Sequence, residues 1–191
     1  MFNKKYQIIL ADPPWQQGKG GKKAVRPNSS GGELDYPVLS LEEIWAYLTI
    51  ASNMGWENHN FFLWVIDKTI WEAEKFMKQI GYKLHARLIW NKVTGIPASF
   101  DVRFGHEYLL WFYKGNLMPV AKEWRGKYHS VFTEQVKKHS QKPEIAYRMI
   151  ENWYPDTEKL ELFARKKRDN SLFDNVQWDV WGNEVESDIK L

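Results

Sequence analysis

Tyr6-Gln7-Ile8-Ile9-Leu10-Ala11-Asp12-Pro13-Pro14-Trp15 runs from a short apolar segment into an acid, two prolines and a tryptophan. The apolar part has the length and composition of a buried strand. The proline pair ends it, because proline has no N–H to donate to a sheet ladder. Asp12 is therefore expected at the carboxyl end of a strand. In open α/β sheets that end is where ligands bind.

Working outward, Ser40 and Glu43 form a capping-box pair that starts a helix over Leu41–Leu48. Asn60–Ile66 is an apolar run of strand length. A second helix starts at Asp67 or Thr69, with Ile70, Ala73, Phe76, Met77 and Ile80 on one face and Gly81 as its C-cap. Tyr82–Asn91 and Glu107–Tyr113 read as strands, separated by a loop around Gly95–Arg103. Pro143 fits the first turn of a helix reaching Trp153, and Pro155 marks its end. Lys159–Ala164 reads as another buried strand and Gln177–Trp181 as a final edge strand. The polar stretch Gly115–His139 shows no regular pattern. Alternating strands and helices imply one α/β domain over residues 1–191, with no internal repeat.

Composition bounds the rest. At 191 residues the chain suits a single domain with a substantial core. Its 43% hydrophobic content excludes disorder as the overall state. No apolar stretch is long enough to span a bilayer, and Met1–Lys5 leads straight into the first strand without a signal-peptide apolar region. Cysteine is absent, which rules out disulfides and thiolate zinc sites and fits an intracellular, cytoplasmic location. The five histidines show no metal-ligand spacing, so no metal is expected. A net charge of +3 is compatible with a nucleic-acid partner without identifying one. Most of the 11 tryptophans are expected in the core.

The acid-proline-proline-tryptophan string suits one chemistry. An amino group on a nucleobase is a poor nucleophile, because its lone pair is delocalised into the ring. A carboxylate at Asp12 can accept one N–H and the carbonyl of Pro13 the other, freeing the lone pair. Pro14 restricts the residue before it to extended conformations. Trp15 offers a flat face for an extruded base. The same string also occurs in ordinary turns, so alone it leaves both readings open.

Further stretches carry a resemblance. They are Tyr36-Pro37 before Ser40-Leu41-Glu42-Glu43-Ile44, Phe62-Leu63-Trp64-Val65, Ile89-Trp90-Asn91-Lys92, Glu107 with Lys114-Gly115-Asn116, Ser140-Gln141-Lys142-Pro143, Leu160-Glu161-Leu162-Phe163-Ala164-Arg165 and Trp181-Gly182-Asn183-Glu184. With Asp12-Pro13-Pro14-Trp15, and in this order, they resemble the S-adenosylmethionine-dependent N6-adenine methyltransferases. In particular they resemble the family of the catalytic subunit of the eukaryotic mRNA N6-adenosine methyltransferase. The resemblance runs from about Ile8 to Val185.

The resemblance implies a Rossmann-like methyltransferase fold with a mostly parallel sheet and circularly permuted motif order, the catalytic strand early and the donor-binding strand late. It makes Asp12, Pro13, Pro14 and Trp15 catalytic. It puts Asp12, Lys142, Glu161, Phe163, Arg165 and Asn183 beside S-adenosylmethionine. Without it the strand ending at Ala164 is a weak cofactor signal, since no glycine turn follows. The family often continues with His and Asn on the donor ribose. Here Lys166–Asn170 follow instead, with Asn170 as a possible substitute.

On the acceptor side, Tyr36-Pro37 resembles a loop that closes over the base, and Lys92 and Glu107 are expected to flank the pocket. The stretch from Gln16 to Leu39 carries Lys19, Lys22, Lys23 and Arg26 among several glycines. It is not a Walker loop, because Gly21-Lys22 is followed by Lys23 rather than Ser or Thr. It is expected to clamp phosphates beside the base, with a solvated loop as the alternative. Lys137-Lys138 and Lys166-Lys167-Arg168 are solvated charges by default, with phosphate contact as a second option. The expected reaction is methylation of adenine N6 in nucleic acid, with DNA favoured over RNA. N4-cytosine methylation and a catalytically silent nucleic-acid-binding subunit remain as alternatives. Oligomeric state is not legible.

Overall fold

The computed structural model describes residues 4–15, 39–94, 96, 101–137, 141–168, 171 and 178–191. Strand β1 (Tyr6–Ala11) occupies the residues expected of it. Ile8, Ile9, Leu10 and Ala11 are at most 1% exposed. Each large aliphatic side chain buried this way contributes about 1.5–3 kcal/mol. Such a strand is stable only with neighbours on both edges and layers on both faces. The remaining elements are α1 (Leu41–Asn53), β2 (Gly55–Val65), α2 (Ile70–Gln79), β3 (Lys83–Asn91), β4 (His106–Lys114), β5 (Val131–Thr133), α3 (Glu144–Trp153), β6 (Lys159–Leu162) and β7 (Trp178–Trp181).

The described strands form one sheet in the order β5-β3-β4-β2-β1-β6-β7. β1 pairs in parallel with β2 and with β6, β6 with β7, and β3 with β5. β4 is antiparallel to both β2 and β3. The sheet is thus mostly parallel and the architecture α/β, as in Rossmann-like methyltransferases. The late strand β6 lies directly beside the first one, with Leu10 opposite Glu161 and Ala11 opposite Leu162.

Alternation along the strands divides the core. Ile9, Ala11, Phe61, Leu63, Leu110 and Leu160 face the layer that holds Ile44, Leu48 and Ala51 of α1 and Ala73 and Met77 of α2. Ile8, Leu10, Phe62, Trp64, Leu109 and Trp111 face α3 through Ala146, Met149, Ile150 and Trp153. Among the described residues no helix is long and apolar enough to cross a membrane.

Local rules set most boundaries. The capping box at α1 forms: the Ser40 hydroxyl accepts from the Glu43 N–H at 3.2 Å and Glu43 accepts from the Ser40 N–H at 2.8 Å. α1 runs on to Asn53, five residues past its expected end, because Leu48 and Ala51 still face the core. β2 begins at Gly55, earlier than Asn60, and its exposed first residues carry little apolar signal. A 3-10 turn over Asp67–Thr69 precedes α2, and Gly81 closes that helix at φ +93°. Pro143 is the extended N-cap of α3 rather than a residue of its first turn. β6 stops at Leu162 because Phe163 turns to φ +61°. The short β5 lies inside the stretch that showed no pattern; it holds on as an edge strand by pairing Ile89–Asn91.

One close approach joins the ends of the two late strands. A Cβ on Gly182 would lie 2.0 Å from the carbonyl oxygen of Ala164. Gly182→Ala is expected to push the loops after β6 and β7 apart and cost about 1–3 kcal/mol. Urea unfolding measures it, and an unchanged midpoint would mean that the loops do not approach this closely.

Candidate active site

Parallel pairing brings the carboxyl ends of β1, β2, β6 and β7 to one edge of the sheet. The antiparallel β4 brings its amino end, His106-Glu107, to the same edge beside Asn91 and Trp90 of β3. The sequence residues Asp12, Lys92 and Glu107 therefore meet although 80 to 95 positions separate the first from the others. Lys142 joins them from the approach to α3.

These four form a chain of alternating charge. Lys142 Nζ lies 2.7 Å from Asp12 Oδ1 and 3.1 Å from Glu107 Oε2. Lys92 Nζ pairs with Glu107 Oε1. The Lys142 and Glu107 side chains are each 12% exposed and that of Asp12 28%. Each ammonium also lies over an indole: Lys142 5.5 Å from the Trp64 ring centroid and Lys92 5.4 Å from that of Trp90. Aromatic floors of this kind favour cations over neutral groups.

The electrostatics follow from burial and neighbours. Burial pushes the Asp12 carboxyl up, with Lys142 working against the rise and Glu107 adding to it. Burial also works to raise Glu107, but Lys142 and Lys92 overcome it and hold that carboxyl below its ordinary value. Lys142 is disfavoured as a cation by burial, yet its two carboxylates more than compensate and raise it. Asp12 Oδ1 is engaged by Lys142, and Oδ2 has no partner among the described residues.

The motif itself is held by its last residue. Trp15 is 4% exposed, its indole N–H donates to the Trp64 carbonyl at 2.8 Å, and it meets Trp45 edge-on with centroids 5.6 Å apart. This corrects the expectation of a stacking surface for a base. The indole is a core anchor, because burying it under α1 removes more apolar area from water than leaving it open would. The Pro13 carbonyl accepts from the Trp15 N–H at 2.8 Å, the i to i+2 spacing of a γ-turn. Its second lone pair is not used by that bond.

On the other side of β1, Glu161 of β6 is 8% exposed and accepts from the Tyr147 hydroxyl at 2.6 Å. Burial pushes its carboxyl up to about 7, against the lowering by Tyr147 and Arg168. Phe163 follows at positive φ, an unusual conformation for a bulky residue of the kind that gathers at functional sites. Arg165 lies 3.8 Å from Glu184, and Arg165 and Asn183 occupy the adjoining loops after β6 and β7. The expected donor-side residues thus share one edge with Asp12.

Other expectations divide. Lys92 and Glu107, expected to flank the pocket, are paired with each other. Arg168 is not a solvated cation: its side chain is 9% exposed and bonded to Glu144 and Glu151. Burying it is tolerable because two carboxylates pair with it. Lys167 pairs with Asp188 at 2.6 Å, and Lys137 lies 3.5 Å from Glu134. Lys19, Lys22, Lys23, Arg26, Tyr36, Lys138 and Asn170 lie outside the described residues.

The sequence reading missed Tyr147, and it missed Glu134. Both Glu134 oxygens accept the first N–H groups of α3, Glu144 and Ile145 at 2.9 Å each, and so seat the helix that follows Lys142. No local signal marked it, because the cap comes from ten residues upstream rather than from Pro143.

The chain matches the MT-A70 family over residues 6–184. The type II methyltransferase M.MunI of Mycoplasma sp is 27% identical over 195 residues, covering 95% of this chain and 78% of that protein. The human N(6)-adenosine-methyltransferase catalytic subunit METTL3 is 27% identical over 191 residues, covering 95% of this chain and 28% of that protein. A Drosophila melanogaster N(6)-adenosine-methyltransferase MT-A70-like protein is 28% identical over 191 residues, covering 95% and 27%. The chain therefore spans under a third of these two eukaryotic relatives.

The charge chain has a pH signature. A depressed Glu107 stabilises the fold above its ordinary value of 4.5, and that contribution is lost as pH falls through its lower native value. Asp12 has the opposite sign: its raised value costs stability near neutrality, and the cost is relieved on protonation. Glu107→Gln is expected to be less stable than the parent near neutral pH, with the gap closing as the pH falls below 4.5 through the depressed native value. Denaturant melts of both proteins across that range check it. A constant gap would mean that Glu107 is not held ionised by the two lysines.

Proposed function

Because the chain belongs to the MT-A70 family, we propose that it transfers a methyl group from S-adenosylmethionine to the N6 amino group of adenine in nucleic acid. The observation that carries the reading is the Lys142 bridge between Asp12 and Glu107 at the carboxyl end of β1. It sets a carboxylate against a cation beside a rigid proline turn, with one oxygen open.

The residues fit the donor. Its carboxylate suits the Lys142 ammonium, its ammonium suits Asp12, and its ribose hydroxyls suit Glu161, whose Oε2 has no partner among the described residues. Phe163, Arg165 and Asn183 would complete the wall. When bound, S-adenosylmethionine supplies an electrophilic methyl group on a sulfonium. The chain's own part is positioning and charge. Asp12 accepts one N–H of the adenine amino group, and the free lone pair of the Pro13 carbonyl accepts the other. Both bonds oppose conjugation of the nitrogen with the ring. Lys142 favours the anionic form of Asp12 against the upward push of burial, and in that form Asp12 is an acceptor rather than a donor. Glu107, neutralised by Lys92, borders the acceptor side. The base reaches this edge by leaving its helix or from a single strand.

DNA is the favoured substrate. The support is the likeness to the type II methyltransferase M.MunI, matched over 78% of its length. Incubation with labelled donor and single- and double-stranded DNA and RNA, followed by nucleoside analysis, tests it. N6-methyladenine in DNA is the expected product. Label in RNA alone, or in N4-methylcytosine, would replace the substrate assignment. Absence of donor binding by calorimetry would replace the enzyme with a silent binding subunit.

Two variants probe the roles. Asp12→Ala is expected to fold and to lose activity by about 10²-fold or more, with Asp12→Asn nearly as damaging, since an amide can present a donor to the amino group. Turnover at the parental rate would falsify the assignment. Replacing Lys19, Lys22, Lys23 and Arg26 together by Ala should weaken nucleic-acid binding across unrelated sequences and flatten its salt dependence. An unchanged salt slope would remove these four from the interface.

A further inference from the structure

Glu161 lies on the α3 face of the sheet, between β1 and β7, where it opposes Leu10 and Val180. A carboxylate in such a place can turn about its terminal bond unless something holds it. Here the Tyr147 hydroxyl takes one oxygen, Oε1, at 2.6 Å.

Tyr147 is itself clamped. The Arg168 guanidinium lies 4.2 Å from its ring centroid, and Trp178 meets it edge-on at 5.8 Å. Both clamps are fixed by the same buried acid. Glu151 is 0% exposed and accepts from Arg168 Nε at 3.1 Å and from the Trp178 indole N–H at 2.9 Å. Glu144 binds the other end of the guanidinium at 2.8 Å. Three buried or half-buried charges are thus committed to the seating of one phenol. Packing alone would not require it, since a phenylalanine would fill the same space.

We propose that Tyr147 is a positioning residue for the methyl donor: its phenol pins Oε1 of Glu161 so that Oε2 is presented to the donor's vicinal hydroxyls. The inference rests on the donor-site reading given above. A hydroxyl pair needs an acceptor, so the ionised carboxylate is the binding form. The groups facing Glu161 set how readily it ionises. Tyr147 and Arg168 favour the carboxylate, Asp12 from the end of β1 and Glu144 from α3 oppose it, and β7 offers the apolar Val180. With the carboxyl pushed up to about 7, donor binding should strengthen as pH rises through neutrality.

The test is donor binding by calorimetry as a function of pH on three full-length proteins: parent, Tyr147→Phe and Glu161→Gln. Tyr147→Phe keeps the ring between Arg168 and Trp178. It is expected to bind S-adenosylmethionine about five- to tenfold more weakly near neutrality, with the midpoint of its pH dependence moved upward. Glu161→Gln should bind weakly with no midpoint in this range. Thermal melts of all three show whether the fold is retained. A Tyr147→Phe protein with parental affinity and midpoint overturns the inference while leaving the donor site in place. So does a loss of affinity with an unmoved midpoint, which would mark a packing role. Full affinity in Glu161→Gln overturns it by removing Glu161 from the site. No donor binding by the parent overturns the donor-site reading itself, and the inference with it.

Discussion

A single ammonium group, that of Lys142, holds the functional edge of this molecule together. Asp12 and Glu107 come from different strands and would repel each other at an edge that is mostly closed to water. Lys142 lies within 3.1 Å of both. Taking charges out of water is costly unless they are paired and hydrogen-bonded. The alternation Lys92–Glu107–Lys142–Asp12 meets that condition by giving each inner charge two opposite neighbours. Trp64 and Trp90 beneath the lysines complete the environment with ring faces rather than with further hydrogen bonds.

The same arrangement explains why the two carboxylates differ. Glu107 has two cations and is held ionised; Asp12 has one, together with a neighbouring negative charge, and its carboxyl is pushed up. A third acid, Glu161, is bonded to a phenol, and burial pushes it up to about 7 against the lowering by Tyr147 and Arg168. Of three acids at one sheet edge, one is thus held below its ordinary value and two are pushed above theirs, by burial and by the charges that face each. The donor proposed for this edge, with an ammonium, a carboxylate and a pair of hydroxyls, would have use for such differences.

Rigidity at this edge comes from the aromatic residues. Trp15 is buried and tied to the Trp64 carbonyl, so the proline turn that carries Asp12 is fixed to β2 as well as to β1. Tyr147 is held between Arg168 and Trp178. Lys142 is brought in by α3, whose amino end is seated on Glu134. Acceptor and cation thus reach the edge on separately anchored elements, which limits how far either can drift.

The sequence by itself determined most of the elements and the motif. Hydrophobic period, the Ser40–Glu43 box, Gly81 and the proline pair are local signals, and local geometry obeyed them. The place of Asp12 at a strand end followed from Pro13 and Pro14 alone. The family resemblance then named Lys142 and Glu161 on the donor side, and Glu107 was expected with Lys92 at the acceptor side, without either saying how they touch. Pairing across the sheet decided that, because which strand lies beside which depends on contacts between residues a hundred positions apart. The antiparallel β4 is the clearest case: reversing one strand carries Glu107 to the edge where Asp12 ends. Tertiary packing also overruled the expectation for Trp15, since a large indole next to a helix is worth more to the fold buried than open. Glu134 and Tyr147 had no signal in one dimension, because a carboxylate that caps a distant helix and a phenol that pins a distant acid are defined by their partners.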